Sequence, residues 1–268
     1  MRILIRTSKW AIWSRRFGSL ALPLAIIPVF MHRERFISSA DFTTIELVAM
    51  AVACLAFVLA IGAFVRLWIT GDLGWGKAVM GFFLSLLCLL PLGYVLFEMS
   101  RFPNISDIAT DAASPPGLVS QVPPSNSADS AAIVAAFPNA RDRSYPIEAQ
   151  EMYALVVTLA EQRGWEIRAR REPQTPLAEG QLNAIAMTLI GYRSEVAVRV
   201  QGDPQGSTVS MRSASLFGGH DLGENGRRIE EFLTALDDRV TQILRNAPVN
   251  APLPSDEPAP ETQTEDNG

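Results

Sequence analysis

The sequence predicts an α+β protein: N-terminal transmembrane α-helices, then a small two-layer α/β sandwich built on an antiparallel sheet. Three observations predict this class. Two long runs, 44–69 and 78–97, are almost free of charge. Later segments alternate apolar and polar residues with the period of a half-buried strand. Two others repeat apolar residues at helical spacing.

Charge divides the chain at the same place. Residues 1–100 carry nine Lys/Arg against five Asp/Glu, a net of +4; residues 101–268 carry fourteen Arg, no Lys and twenty-three Asp/Glu, a net of −9. An acidic second half is a poor partner for nucleic acid, whose phosphates require a cationic surface. Both cysteines, Cys54 and Cys88, lie in the first half. The second half therefore has no disulfide framework and no thiol nucleophile.

The first segment to place is "FGSLALPLAIIPVFM" (17–31), which holds two prolines and follows five basic residues, Arg2, Arg6, Lys9, Arg15 and Arg16. No small-residue cleavage site follows, so it reads as an uncleaved first span rather than a re-entrant segment or a signal core. "TIELVAMAVACLAFVLAIGAFVRLWI" (44–69) is charged only at Glu46 and Arg66. As a helix it reaches about 39 Å, more than a bilayer core of roughly 30 Å. "AVMGFFLSLLCLLPLGYVLF" (78–97) has no charge and reaches about 30 Å. With three spans, the positive-inside rule puts the N-terminus in the cytoplasm and the second half in the periplasm. Charge counting alone favours two spans and a cytoplasmic second half; hydropathy favours three, and the multi-pass inner-membrane reading follows it.

Residues 101–143 lose periodicity. They contain a D-x-x-x-D segment, Asp107 and Asp111, and the Pro/Ser-rich run "SPPGLVSQVPPSNSADSA" (114–131), and they read as an extended linker, either a tether or a wrapped extension. The last stretch, 247–268, has five acids, five prolines and no basic residue, and reads as a disordered acidic tail.

Between them, 144–246 reads as the soluble domain in the order β-α-β-β-β-β-α. "SYPI" (144–147) suits a short strand. "EAQEMYALVVTLAEQRG" (148–164) aligns Met152, Leu155, Val156 and Leu159 on a helix that ends at Gly164. "WEIRARRE" (165–172) turns Trp165, Ile167 and Ala169 to one face, and Glu166, Arg168 and Arg170 to the other. "QLNAIAMTLIG" (181–191) is a strand with Ile185, Met187 and Leu189 on its apolar side. "RSEVAVRV" (193–200) sends Val196, Val198 and Val200 inward, Glu195 and Arg199 outward. "QGDPQG" (201–206) is a turn. "STVSMRS" (207–213) sends Val209 and Met211 inward, Ser210 and Arg212 outward. The final helix, about 225–245, aligns Ile229, Phe232, Leu233, Leu236, Val240 and Ile243.

"LFGGHDLGENGRRIEEF" (216–232) holds His220, one of two histidines in the chain. Its immediate neighbour is Asp221, whose side chain points elsewhere in most backbones, and no second histidine lies in this half. A base–nucleophile pair is therefore not favoured, and His220, Asp221 and Glu224 make a poor zinc or calcium set. The helix-start reading uses more of the residues. "DLGE" (221–224) has capping-box spacing, Asn225 is an equally good cap, and Gly218, Gly219 and Gly223 supply backbone freedom. Arg227 and Arg228 sit at the unfavourable end of the helix dipole, so a carboxylate or a bound anion should face them.

The run "SASLFGGHDLGENGRRI" (213–229) resembles the "SxSRxGxSDLGxNxxRI" signature of the domain of unknown function 1499 family. "PNISDIATDAASPP" (103–116) is similar to that family's second hallmark, and the order of spans, hallmark and α+β domain is similar to its long bacterial members. The matching residues are Asp107, Asp111, Ser213, Asp221, Leu222, Gly223, Asn225 and Arg228; Leu216 and His220 depart from the pattern. The family's name leaves its activity undefined.

The expected function is a membrane-bound binding or interaction module of the bacterial cell envelope. It takes no cofactor or metal, and its partners are the bilayer and an anionic lipid, glycan or protein. The candidate binding residues are Asp107, Asp111, Asp221, Asn225, Arg227 and Arg228. A candidate anion-contacting sheet face carries Arg168, Arg170, Arg199 and Arg212, with cross-strand pairing to Glu166 and Glu195 as the plainer use of those charges. The alternative is an envelope hydrolase or isomerase using Asp107, Asp111, His220 and Asp221, which requires those four groups to converge.

Overall fold

A computed structural model describes residues 6–123 and 130–246; the expected tail lies outside the described residues. Three helices come first: α1 (Lys9–Arg33), α2 (Ser39–Thr70) and α3 (Trp75–Arg101). The run 17–31 falls inside α1. Both α2 and α3 are long and apolar enough to cross a membrane. A capping box starts α2: Ser38 Oγ accepts from Asp41 N–H at 3.1 Å while the Asp41 carboxylate reaches back to Ser38. Gly71, in the left-handed region, ends it. Along α2, Ala49, Ala53, Ala56, Ala60 and Ala63 are buried at helical spacing, which lets the bundle close tightly. Ser14 of α1 donates to the Ala56 carbonyl at 3.1 Å.

The bundle has two distinct ends. At one, Thr7 bridges to Leu73 between α2 and α3. At the other, the α1–α2 turn and the C-terminus of α3 meet the second half of the chain. His32 Nδ1 pairs with the Ile190 carbonyl at 2.8 Å, Arg33 donates to the Leu189 carbonyl at 2.9 Å, and Arg35 pairs with Glu166 at 2.9 Å. Thr43 and Tyr192 hydroxyls share a hydrogen bond at 3.0 Å, and His32 stacks on Phe42.

The second half contains β1 (Asp107–Ala109), α4 (Ser130–Ala136), β2 (Arg143–Tyr145), α5 (Ala149–Gln162), β3 (Glu166–Arg171), β4 (Glu179–Met187), β5 (Arg193–Asp203), β6 (Gly206–Ser215) and α6 (Glu224–Asn246). The sheet is antiparallel in the order β1-β6-β5-β4-β3, and β2 shares the β6 edge with β1. One face packs on α5 and α6, through Val196, Val198, Val200, Val209 and Met211 against Met152, Val156, Ile229, Phe232 and Leu236. Burying each large apolar side chain contributes about 1.5–3 kcal/mol. A two-residue turn, Pro204–Gln205, joins β5 to β6. Gly206 (φ +148°) follows it, where a Cβ would collide with the Tyr145 carbonyl.

Three sequence expectations are narrowed or changed. Of the two readings of 101–143, the wrapped extension fits and the tether does not: Ile105, Ile108, Phe137 and Ala140 belong to the core, and β1 extends the sheet. On β4 the faces are inverted. Leu182 and Ala186 join the core, and Gly180 approaches Tyr153 of α5, whereas Met187 and Leu189 are exposed. Small residues occupy the helix-covered face because α5 lies close to it. On β3 a bulge after Ile167 shifts the register, so Arg170 turns to the helix layer and pairs with Glu161 of α5.

Candidate functional site

The outer face of the sheet is covered by residues 110–123, a strap that leaves β1 and runs back across β6, β5 and β4. Asp107 grips Arg212 with both carboxylate oxygens, at 2.9 and 2.6 Å, and pulls the guanidinium pKa up. Asp111 pairs with Arg199 at 3.1 Å and accepts the N–H groups of Ala113 and Ser114 at 3.0 Å each. The Ser114 N–H, with help from Ala113 and Arg199, lowers the Asp111 pKa. Asp142 accepts from Thr110 and from Ser210.

Glu195 is the centre of this face. It is fully buried, and its two oxygens accept the N–H groups of Val119 and Ser120, each at 2.7 Å. Asn183 donates to it at 2.9 Å and also donates to the Gly117 carbonyl at 2.8 Å, as does Gln181. Burial by itself pushes the Glu195 carboxyl pKa up. The donors from Ser120, Val119 and Asn183 outweigh burial and hold it below the ordinary value.

The arginine face expected from sequence is thus largely neutralised within the chain. Arg199 and Arg212 meet Asp111 and Asp107 rather than Glu195. Arg168 does pair with Glu166, at 3.0 Å, and Arg170 lies on the helix side with Glu161. Asp107, at the start of β1, and Asp111 anchor the strap to these two sheet arginines.

At the start of α6, Asp221 caps the helix, accepting the N–H groups of Gly223 and Asn225 at 2.9 Å each. Its burial raises its pKa, against those same hydrogen bonds. Asn225 is not a cap. It is fully buried, its Oδ1 accepts from Ser213 (2.7 Å) and Arg228 (2.9 Å), and its Nδ2 donates to the Ser106 carbonyl (3.1 Å) and Ser215 (2.9 Å). His220 Nδ1 accepts from the Leu222 N–H at 2.9 Å, so the ring proton sits on Nε2 and is donated to the Phe102 carbonyl at 2.9 Å. This hydrogen bonding fixes the loop, in which Leu222 takes a left-handed conformation (φ +57°). His220 and Asp221 therefore bind main chain, while Asp107 and Asp111 bind arginines under the strap. The four do not form a common set, and among the described residues no three His, Cys, Asp or Glu side chains gather to hold a metal.

Arg227 and Arg228 have carboxylate partners. Arg227 pairs with Glu98 of α3 at 3.0 Å, raising the Arg227 pKa against its burial, and it lies over the Phe102 ring. Arg228 pairs with Glu224 at 3.3 Å and is nearly buried, which lowers its pKa. Both line a cleft of about 410 Å³ where the domain meets the helix bundle, together with Arg33, Arg163, Trp165, Met187, Glu224 and Glu231. Sequence reasoning singled out Arg227 and Arg228 but missed Arg33, Arg163, Glu98, Asn183 and Glu195. Glu98 carried one available signal, a carboxylate immediately after an uncharged span.

Residues 107–236 match the family model described as a protein of unknown function (DUF1499). No curated protein and no solved structure matches the chain. The matched stretch runs from Asp107 through the capped loop into α6, and over it the α+β domain of this chain is similar to the DUF1499 family.

Proposed function

We propose that this chain is a multi-pass membrane protein of the bacterial envelope whose α+β domain is a binding module held on the extracytoplasmic end of three membrane helices. The observation that carries the binding role is the arginine-lined cleft between domain and bundle. Topology is supported by connectivity. The domain contacts the α1–α2 turn and the end of α3, whereas Thr7 and Leu73 meet at the opposite end. Arg6, Lys9, Arg15 and Arg16 lie toward that opposite end, where the positive-inside rule puts the cytoplasm.

Two experiments test this reading. A reporter that works only outside the cytoplasm, fused after residue 145, should be active; a silent reporter reverses the orientation. A photo-crosslinking amino acid at Met187, in the cleft wall, should form an adduct in cells, whereas the same group at exposed Glu148 should not. No adduct at Met187 removes the cleft as a binding site.

A further inference from the structure

We infer that the cleft takes the phosphate-bearing headgroup of an anionic phospholipid from the adjoining leaflet. This rests on the binding-module reading and names its ligand. The cleft wall carries four arginines and two glutamates, and with Glu98 paired to Arg227 a surplus of one positive charge remains. The four arginines are not equivalent. Arg228 is fixed by Ser213, Asn225 and Glu224, and Arg227 by Glu98 and the Leu222 carbonyl. Arg33 and Arg163 instead donate to main-chain carbonyls, those of Leu189 and Glu231, and among the described residues neither forms an ion pair. A guanidinium has five N–H groups in a planar fork that matches a phosphate, so each keeps donors for a ligand.

Position selects a lipid over a soluble anion. Arg33 is the last residue of α1, and Glu98, which holds Arg227, lies on the last turn of α3. The cleft is therefore level with the end of the apolar helix surface, where headgroups lie. One side of its wall is apolar, with Trp165, Ala186 and Met187. Beyond Met187, the β4–β5 tip presents Leu189, 83% exposed, and the α1–α2 turn presents Phe36, 78% exposed. Large uncovered apolar side chains at this depth suit the glycerol and upper acyl region, and indoles favour the same layer. A free phosphate would use the arginines and leave this apolar rim without a role.

The test uses the full-length protein purified in a maltoside detergent and incubated with phosphatidylglycerol or phosphatidylcholine. Lipid retained after gel filtration is measured by mass spectrometry. Phosphatidylglycerol should be retained over phosphatidylcholine by about tenfold, a difference of about 1.4 kcal/mol in binding. R33Q/R163Q should lose that preference, R33K/R163K should keep part of it, and R168Q/R170Q, which removes equal charge at β3, should keep all of it. Equal retention of the two lipids overturns the inference, as does an unchanged preference in R33Q/R163Q, with circular dichroism reporting whether each variant is folded. Inorganic phosphate or glycerol phosphate binding as tightly as the lipid also overturns it, in favour of a soluble anion. An adduct at Met187 without phosphatidylglycerol preference would sink the lipid and leave the binding module standing; absence of both would sink both.

Discussion

On the outer face of the sheet, Arg212 meets Asp107 of β1 and Arg199 meets Asp111 of the strap that follows it; in the junction cleft, Arg33 and Arg163 meet main-chain carbonyls. Both surfaces are arginine-rich, yet only the cleft holds guanidiniums without an ion-pair partner among the described residues. Under the strap, carboxylates answer the guanidiniums within the same chain, and the product is a fixed segment. At the junction two of four guanidiniums lack such partners. Arginine content alone therefore does not mark a ligand site; the location of the matching carboxylates does. Structural pairing predicts large stability effects and no ligand effect, and the cleft predicts the reverse.

The largest expected effect is at Glu195. Glu195→Ala removes a buried acceptor shared by Val119, Ser120 and Asn183. The full-length protein should lose roughly 3 kcal/mol, because buried donors left without acceptors cost about 1–3 kcal/mol each and the strap can recover part of this by opening to water. Hydrogen exchange at 117–120 should rise well before global unfolding. Unchanged protection there would mean that the strap is held by its aspartates alone.

Acid should separate the strap from the helix cap. The Glu195 carboxyl lies below its ordinary value of 4.5 in the folded protein. Its stabilisation is therefore complete above that value and is lost as pH falls through the lower folded one. Asp221 is raised from 3.8 by burial, so its ionised form is disfavoured by folding, and its contribution improves with acid. As pH is lowered from about 6 to below 4.5, exchange corrected for its intrinsic pH dependence should begin to increase at 117–120 only below 4.5, and should not increase at 223–226. Equal loss at both would indicate global acid unfolding rather than strap release.

A smaller effect is expected for the pair Asp107–Arg212, which is about one-fifth exposed. A double-mutant cycle of D107N and R212Q, read from thermal unfolding, should give a coupling of about 1–2 kcal/mol, within the range for a charged, bidentate contact in partial solvent. Coupling near zero would make the strap aspartates dispensable for anchoring.

Much of the fold was legible because β5 and β6 alternate cleanly and α5 and α6 keep a single apolar stripe. The strap was not legible. It has no period, since it forms no long element and is held by side chains distant in sequence, Glu195, Asn183 and Gln181. The β4 face was misread because Ile185, Met187 and Leu189 are larger than Ala184 and Ala186, yet close approach of α5 favours the smaller set. Arg227 and Arg228 stood out as cations at a helix start. Arg33 and Arg163 did not, because only the docking of the domain on α1 brings four arginines from three distant segments to one cleft.

The smallest stability effect should come from the two residues to which the proposal assigns the ligand. Arg33 contributes one bond to the Leu189 carbonyl, and Arg163 contributes one to the Glu231 carbonyl and a contact over the Phe232 ring at 5.4 Å. At about 0.5 kcal/mol for each of these three contacts, the low end for exposed groups, R33Q/R163Q should cost the ligand-free protein about 1.5 kcal/mol. Phosphatidylglycerol should raise the melting temperature of the wild type, because a ligand stabilises the state that binds it, and R33Q/R163Q should lose that increase. For Glu195→Ala the pattern should invert: a lower melting temperature, with the lipid-dependent increase retained, since the cleft lies on the other side of the sheet from the strap. If both variants lose the increase together, strap and cleft are one coupled unit and the division between them fails.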